Sequence, residues 1–383
     1  MPNSSRMPGV TPGEPIPSFH ARAAGNPRFA FDTTAGRWLM VLIPGLLAQP
    51  GLAQRLAAAI TPHAGLLRLD HAYLLVIGTD AEDELAGRMT DGPGRRVLWD
   101  DDGSARRAFR AEGADGALRP GWVLLDPMLR VFGVWGLEQG AEAMATLAAL
   151  PPPADHAGVP THAPILVLPR IFEPDFCRRL IAEYEAVGGG ESGFMRDEGG
   201  RTVGVMDPGH KRRKDAFITD EALRTQIRAR LNARLIPEIR RAFQYNVTRL
   251  ERYVVACYDA ADQGFFRAHR DNTTKATAHR RFAVTMNLNT GEYEGGELSF
   301  PEFGPQTYKA PAGGAVVFSC SLLHEARPVT RGRRYAFLPF LYDDAAAAIR
   351  EEGAKFLDQK EAASAADSAE AHQPMRAETT GAA

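Results

Sequence analysis

The sequence predicts an α/β domain followed by an α+β domain, and three observations support this division. Short apolar runs alternate with helical patterns in the first part of the chain, which is typical of a sheet covered by helices. A stiff, proline-rich break follows at Pro151–Asp155. From Tyr253 onward, alternating or β-branched runs are separated by Gly, Pro and Asn turns, as in an antiparallel jelly roll. We therefore expect domains at 1–150 and 164–344, joined by a linker at 151–163.

The apolar runs of the first domain predict its strands, and the segments with helical spacing predict its helices. An irregular arm with one short strand is expected over residues 1–35. Further strands are expected at Trp38–Ile43, Ala72–Thr79, Arg96–Asp100, Trp122–Asp126 and Val131–Trp135. Helices are expected at Leu52–His63, Ser104–Glu112 and Gly140–Leu150.

The second domain combines two amphipathic helices with many short strands. A strand at 164–168 is followed by helical patterns at Glu173–Val187 and Glu221–Phe243. The strands of the predicted jelly roll then run to Tyr342. Residues 345–383 are rich in Ala, Glu, Ser and Thr with few aromatics, which predicts a short helix and then a disordered tail.

The overall composition is that of an ordinary globular protein. Hydrophobic residues make up 44% of the 383 residues, and the formal net charge is −2, so no basic field attracts nucleic acid or an anionic membrane. The first residues lack a basic segment followed by an apolar run, so no signal peptide is expected. The three cysteines, Cys177, Cys257 and Cys320, are too scattered for a disulfide framework. We expect a cytoplasmic protein that acts on a protein, peptide or small-molecule substrate.

A metal-binding pattern lies among the predicted strands of the second domain. His269 and Asp271 are two residues apart, so on a strand both side chains point to the same side. His324 lies 53 residues after Asp271 and follows the buried-strand pattern Ala315–Cys320. Two imidazoles and one carboxylate on one face of a metal leave its other positions open, a ligand set that suits non-haem iron(II). Taken alone, the tripeptide would leave a surface histidine at position 269 as an equal alternative.

Six ordered segments of the second domain carry a family resemblance. They are Tyr258 with Gly264 and the His269–Asp271 pair, Met286–Asn289, Gly295–Pro301, Gly313–Phe318, His324–Val329 and Gly332–Tyr335. With these segments, residues 164–342 resemble the prolyl 4-hydroxylase-type Fe(II)/2-oxoglutarate oxygenases. One departure is Asn287, where many family members carry an aromatic residue.

The resemblance implies an activity and its cofactors. His269, Asp271 and His324 would hold Fe(2+) as the catalytic residues, with 2-oxoglutarate and O2 as co-substrates and L-ascorbate as a reductant. The enzyme would hydroxylate a C–H bond, by resemblance that of a peptidyl prolyl residue, and release succinate and CO2. Free amino acids and other small molecules stay open as substrates.

The resemblance also implies which side chains contact 2-oxoglutarate. In this family a cation about ten positions after the second histidine binds the far carboxylate, and the planar fork of arginine suits that task. Arg334 lies at that spacing, whereas Arg333 would point to the opposite face of the strand. Tyr258 matches a family tyrosine whose hydroxyl bonds the 2-oxoglutarate carboxylate; the alternative is an ordinary strand aromatic.

Two dense basic runs favour solvated surface loops. They are His210–Lys214 and His279–Arg281. The sharper alternative for the first is a substrate-entry loop for an acidic or polypeptide partner.

The first domain carries a looser resemblance. Its segments are Gly13–Phe19, Trp38–Pro44, Gly78–Asp80, Trp99–Gly103, Ala108–Phe109, Pro120–Pro127 and Val134–Trp135. These resemble the thioredoxin-fold family of peroxiredoxins. A thiol peroxidase needs a reactive cysteine after the first core strand, yet Gly45–Ala48 stands there and no cysteine precedes Cys177. We therefore expect a recognition or scaffold module, and the alternative for the whole chain is a non-catalytic redoxin-like binding protein.

Overall fold

The computed structural model describes residues 7–358 and divides into two compact units. Unit 1 contains the chain up to Ala163 together with Phe300–Gln306. Unit 2 contains Pro164–Ser299 and the chain from Thr307 onward.

The described part of unit 1 contains seven strands and four α-helices. The strands are β1 (His20–Ala23), β2 (Asn26–Ala30), β3 (Trp38–Ile43), β4 (Ala72–Gly78), β5 (Arg95–Trp99), β6 (Gly121–Leu125) and β7 (Val131–Gly136). The helices are α1 (Leu52–Ile60), α2 (Ala81–Leu85), α3 (Ser104–Ala108) and α4 (Gly140–Ala148).

The seven strands form one mixed sheet in the order β2-β1-β5-β4-β3-β6-β7. Strands β3, β4 and β5 run parallel, and the outer strands on both sides join them antiparallel. All six residues of β3 are buried, as expected for a central strand covered on both faces. The mixed α/β class predicted for this part of the chain is therefore confirmed.

The N-terminal arm differs from its prediction. We expected one short strand over residues 1–35, but β1 and β2 form a hairpin that turns at Gly25 with φ 71°. The sequence of β2, NPRFA, lacks β-branched residues and contains Pro27, so its own propensity does not favour a strand. Its pairing with β1 supplies the strand conformation instead.

Up to Asp358, where the structure stops describing the chain, unit 2 contains eighteen strands, several of them only two residues long, and four α-helices. The first nine strands are β8 (Leu166–Leu168), β9 (Gly190–Glu191), β10 (Phe194–Glu198), β11 (Arg201–Val205), β12 (Lys211–Arg212), β13 (Lys214–Phe217), β14 (Arg249–Glu251), β15 (Val254–Asp259) and β16 (Phe265–His269). The others are β17 (Phe282–Asn287), β18 (Glu294–Gly295), β19 (Leu298–Ser299), β20 (Thr307–Tyr308), β21 (Ala315–Ser319), β22 (His324–Ala326), β23 (Val329–Arg331), β24 (Arg333–Phe337) and β25 (Phe340–Tyr342). The helices are α5 (Pro174–Val187), α6 (Glu221–Arg234), α7 (Ile236–Phe243) and α8 (Asp344–Ala354).

Two antiparallel sheets dominate unit 2. One has the order β12-β16-β22-β19-β20, and the other follows β14-β25-β17-β24-β15-β13-β9, with β21 paired to β17 and β8 paired to β21. Strand β15 shows how the larger sheet separates two cores. Val255 and Cys257 lie in the cluster that includes helices α5, α6 and α7, whereas Ala256 and Tyr258 lie in a cluster with Phe266 of the smaller sheet. Because strand side chains alternate between faces, the second face is the one that meets the smaller sheet.

The long helix predicted over Glu221–Phe243 is wrong in one respect, because the structure divides it into α6 and α7. Pro237 lies in the first turn of α7. Proline has no N–H for the bond to the preceding turn and its ring crowds that turn, so a continuous helix is broken there.

In the C-terminal part of unit 2, the last residue that the structure describes is Asp358. The short helix expected after Tyr342 is present as α8, whose N-cap Asp343 accepts a hydrogen bond from the Ala346 amide. The disordered tail predicted for the remainder falls on residues 359–383, which lie outside the described part of the chain.

The three cysteines are free thiols and all are buried. Burial raises the pKa of the Cys177 and Cys257 thiols to about 11, and raises that of Cys320 well above its ordinary value. Within residues 7–358, every helix is too short or too polar to cross a bilayer.

Candidate active site

The pairing of β16 with β22 brings the predicted metal ligands together. His269 lies opposite His324 in this antiparallel pair. The register shifts by one residue between Phe266 and His269, and such a bulge turns a strand end and re-aims its side chains. Asp271 follows β16 directly, and its amide donates to the Cys320 carbonyl at 3.0 Å. One ligand atom from each of His269, Asp271 and His324 lies within 4.8 Å of the others.

Both histidines present the same ring nitrogen to the centre of this cluster. Nδ1 of His269 lies 2.7 Å from the Arg267 carbonyl oxygen, and Nδ1 of His324 lies 3.0 Å from that of Leu322. Because a carbonyl only accepts, each Nδ1 carries the proton and each Nε2 keeps a lone pair. These Nε2 atoms lie 3.5 Å and 3.4 Å from the two Asp271 carboxylate oxygens.

The electrostatics of the cluster favour neutral imidazole and ionised carboxylate. Burial, with the nearby His324 imidazole, lowers the pKa of His269 to about 4. Burial alone would raise the pKa of Asp271, but the His324 and His269 imidazoles hold it below its ordinary value. These are the protonation states that a divalent cation requires of its ligands.

Aromatic rings line the histidines. Phe266 stacks on His269 with ring centroids 3.5 Å apart, and Phe318 lies 4.6 Å from the His324 ring. The protein thus shields one side of each imidazole from water and restrains its rotation.

Arg334, on β24, is a buried cation with few partners. It is only 2% exposed, and its Nη2 donates to the Asn287 side-chain oxygen at 3.3 Å. Among the described residues, its hydrogen-bond partner is the neutral side chain of Asn287, and its buried Nε has no acceptor. Its guanidinium carbon lies 4.9 Å from the centre of the Tyr258 ring. A buried guanidinium with an unsatisfied N–H is suited to bind an anion that is not part of the chain.

Arg333 takes the opposite direction from Arg334. Its side chain is 51% exposed and pairs with Glu185 at 3.0 Å. Tyr258 lies directly beside Arg334 in the register of β15 and β24 and is buried. The structure therefore places both predicted 2-oxoglutarate contacts, Arg334 and Tyr258, on the inner face of the larger sheet.

The prediction that the first basic run is solvated is wrong for Lys211 and Arg213. Lys211 and Arg213 are buried because their charges are satisfied inside unit 2. Arg213 pairs with Asp215, and the Lys211 ammonium donates to Ser192 Oγ at 2.7 Å.

The prediction of a solvated surface is also wrong for His279 and Arg280 in the second basic run. His279 and Arg280 both bind the buried carboxylate of Glu251, at 2.6 Å each. A local run of basic residues does not show whether a carboxylate from a distant segment pairs with it, so these buried ion pairs could not be predicted.

Sequence reasoning also missed Arg213 as a neighbour of the site. Its Nη1 donates to the Tyr258 hydroxyl at 3.4 Å. The available signal was the spacing of Arg213 and Asp215, two residues apart and next to the apolar Ala216, which is typical of a strand with one buried face.

The C-terminal part of the chain is similar to a known protein family. Residues 253–342 match the model of the 2OG-Fe(II) oxygenase superfamily. This part of the chain is therefore a 2OG-Fe(II) oxygenase domain, and the family resemblance predicted from its motifs is confirmed.

The curated relatives that the chain matches are named PKHD-type hydroxylases. That of a Synechococcus strain is 36% identical over 89 residues, which cover 22% of this chain and 39% of the relative. That of Delftia acidovorans is 54% identical over 81 residues, covering 19% and 36%. The chain thus spans less than two fifths of the length of these relatives.

Two solved structures show more distant similarity. A prolyl-4-hydroxylase from Pseudomonas putida shares 19% identity, covering 47% of this chain and 92% of that one, with a TM-score of 0.36. The peroxidoxin BcpB from Mycobacterium tuberculosis shares 18% identity, covering 37% and 99%, with a TM-score of 0.30.

Proposed function

We propose that this protein is an Fe(II)- and 2-oxoglutarate-dependent dioxygenase. The observation that carries the proposal is the convergence of His269, Asp271 and His324 within 4.8 Å. Two imidazoles that are unprotonated at Nε2 and one carboxylate form a set that suits Fe(II) and leaves open positions for other ligands. The buried Arg334, whose Nε has no acceptor among the described residues, suits the far carboxylate of 2-oxoglutarate.

Each residue has a separate task in this proposal. When bound, Fe(II) and 2-oxoglutarate supply the chemistry for O2-dependent hydroxylation of a C–H bond, with release of succinate and CO2. His269, Asp271 and His324 hold the metal, and their carbonyl partners fix the orientation of the imidazoles. Arg334 and Tyr258 orient the co-substrate, and Phe266 keeps water away from His269.

The finer features of the proposal extend beyond the site itself. We take the two sheets of unit 2 as a double-stranded β-helix, with 164–344 as the oxygenase domain and 151–163 as a linker. A peptidyl prolyl residue is the proposed substrate, based on the family resemblance. L-ascorbate as reductant and a cytoplasmic location stay predictions.

The N-terminal domain, 1–150, is proposed as a thioredoxin-like module without thiol chemistry. No cysteine precedes Cys177 in the sequence, so this domain has no thiolate for peroxide reduction. Recognition or scaffolding is the remaining role. A non-catalytic binding protein is the alternative for the whole chain, and a test of metal and co-substrate binding separates the two.

The first experiment needs no substrate. Fe(II) and then 2-oxoglutarate are added anaerobically to the full chain, and the visible spectrum is recorded. We expect a weak charge-transfer band that is absent in Asp271→Ala. A wild-type protein that neither retains iron nor develops the band would refute the dioxygenase and favour the binding-protein alternative.

Turnover is tested separately. Succinate formation is followed with O2, Fe(II) and 2-oxoglutarate in the presence of proline-containing peptides, and peptide masses are checked for one added oxygen. If 2-oxoglutarate binds but no peptide is oxidised while another small molecule is, the substrate assignment is wrong and the reaction class stands.

A further inference from the structure

Two buried guanidinium groups lie near the ring of Tyr258. The guanidinium carbon of Arg334 lies 4.9 Å from the ring centre, and that of Arg213 lies 5.8 Å from it. Arg334 is accounted for by the proposed co-substrate. Arg213 lies between β12 and β13 and has no role in the proposal so far.

Arg213 is held firmly by other side chains of unit 2. Its Nε and Nη2 donate to the two carboxylate oxygens of Asp215 at 2.7 Å and 2.6 Å. The side chains are only 5% and 6% exposed. Ser192 adds a contact to each partner, and Arg252 donates to Asp215 at 3.1 Å. The fork geometry leaves Nη1 directed at the Tyr258 hydroxyl, 3.4 Å away.

Such a pair is expensive to bury for stability alone. The desolvation of two charges offsets most of their attraction, and apolar side chains of the same size often serve the fold as well. A buried pair next to a binding site is therefore a candidate for a task in that site.

The direction of the hydrogen bond suggests the task. A guanidinium only donates, so the Tyr258 oxygen must accept from Arg213. The hydroxyl hydrogen is then left to be donated elsewhere, and a carboxylate bound at Arg334 would be an acceptor beside the same ring. A hydroxyl whose oxygen accepts from a cation is also a stronger donor, because the two bonds polarise each other.

We propose that Arg213 and Asp215 are positioning residues for the 2-oxoglutarate subsite, acting through the Tyr258 hydroxyl. Asp215 fixes the guanidinium, the guanidinium fixes the phenol oxygen, and the phenol presents its hydrogen to the co-substrate carboxylate. This inference rests on the proposed dioxygenase function.

A double-mutant cycle tests this coupling. The 2-oxoglutarate Kd is measured by anaerobic spectral titration of the Fe(II)-loaded full chain for wild type, Arg213→Met, Tyr258→Phe and the double variant. We expect each single variant to weaken binding about tenfold, the effect of losing one charge-assisted hydrogen bond. The double variant should be within about twofold of Tyr258→Phe, because Arg213 has no other route to the ligand.

Further readouts separate positioning from a general structural role. In turnover assays Arg213→Met should raise the KM for 2-oxoglutarate while kcat and iron content change little. Arg213→Lys keeps the positive charge but loses the planar fork. Its affinity for 2-oxoglutarate should lie between those of Arg213→Met and wild type. If Arg213→Met does not fold, the lower affinity of Arg213→Lys than of wild type tests the same role. Arg241→Met, at an exposed arginine of α7 paired with Glu238, is the matched control and should bind like wild type.

Several results would overturn the inference while leaving the dioxygenase intact. One such result is a wild-type Kd for 2-oxoglutarate in both folded Arg213 variants. Another is a double variant whose loss of affinity equals the product of the losses in Arg213→Met and Tyr258→Phe. The proposed function fails in a different way, because then the wild-type protein itself shows no spectral response to 2-oxoglutarate.

Discussion

Replacing Arg334 should change stability and binding in opposite directions. Its guanidinium is 2% exposed, with one neutral acceptor, Asn287, at 3.3 Å and an Nε that lacks an acceptor. An unpaired buried charge is a cost to the fold. In the ligand-free protein, Arg334→Met removes this charge and keeps most of the side-chain volume, so we expect stability to be unchanged or to rise by up to about 3 kcal/mol.

The same substitution should damage co-substrate binding severely. Removing one partner of a buried, hydrogen-bonded charge pair costs about 2–5 kcal/mol. The lower end of that range corresponds to about a 30-fold higher Kd for 2-oxoglutarate. The metal ligands are untouched, so Fe(II) binding should persist.

Two measurements on the same samples check this prediction. Thermal unfolding is followed with and without 2-oxoglutarate, and Kd is obtained by anaerobic titration. Arg333→Met is the control, because this neighbour is 51% exposed and paired with Glu185. If Arg334→Met unfolds more easily but binds normally, Arg334 is structural. If Arg333→Met alone loses affinity, the wrong arginine was assigned.

Three further predictions concern the metal, the co-substrate pocket and acid stability. Asp271→Ala should abolish stoichiometric Fe(II) retention, measured as metal content after desalting; retained iron would refute its role as a ligand. Gly296→Ala should weaken 2-oxoglutarate binding with iron content unchanged, since its φ is 67° and an added Cβ would lie 2.8 Å from Arg334 Cδ; an unaltered Kd would show that Arg334 can move aside. Hydrogen bonds from Arg234, and then from Arg230, lower the pKa of Glu173 from 4.5 to about 2. Because this folded-state pKa is depressed, its stabilisation is present above pH 4.5 and is lost as the pH falls toward 2. Glu173→Gln should therefore lose less thermal stability across that window than wild type, and equal losses in melts from pH 5 to pH 2 would contradict the assignment.

The parts of the site that could be predicted depend on local sequence. His269 and Asp271 share a face because they are two apart at a strand end, and Arg334 and Arg333 separate because side chains alternate. His324 could be added because the segments around it match a known family in the same order.

The parts that could not be predicted depend on contacts between distant segments. Arg213 is buried by Asp215 nearby, but its importance comes from Tyr258, 45 residues further along the chain. Strand β2 is another example, because its sequence does not favour a strand and its pairing with β1 forms it. The break between α6 and α7, in contrast, could have been predicted from Pro237, because proline has no backbone N–H to donate to the preceding turn of a helix.

The buried thiols described with the fold bear on which metal the site selects. Thiolate is the soft ligand that attracts zinc and copper(I), but only the deprotonated form binds. Cys257 stands next to Tyr258, and the Cys320 carbonyl accepts from the Asp271 amide. Burial raises the pKa of the Cys257 thiol to about 11 and raises that of Cys320 well above its ordinary value, so both thiols are protonated at neutral pH. Among the described residues, the ligand atoms that converge with Asp271 are imidazole nitrogens and carboxylate oxygens, a donor set that suits iron(II) better than a metal that prefers sulfur.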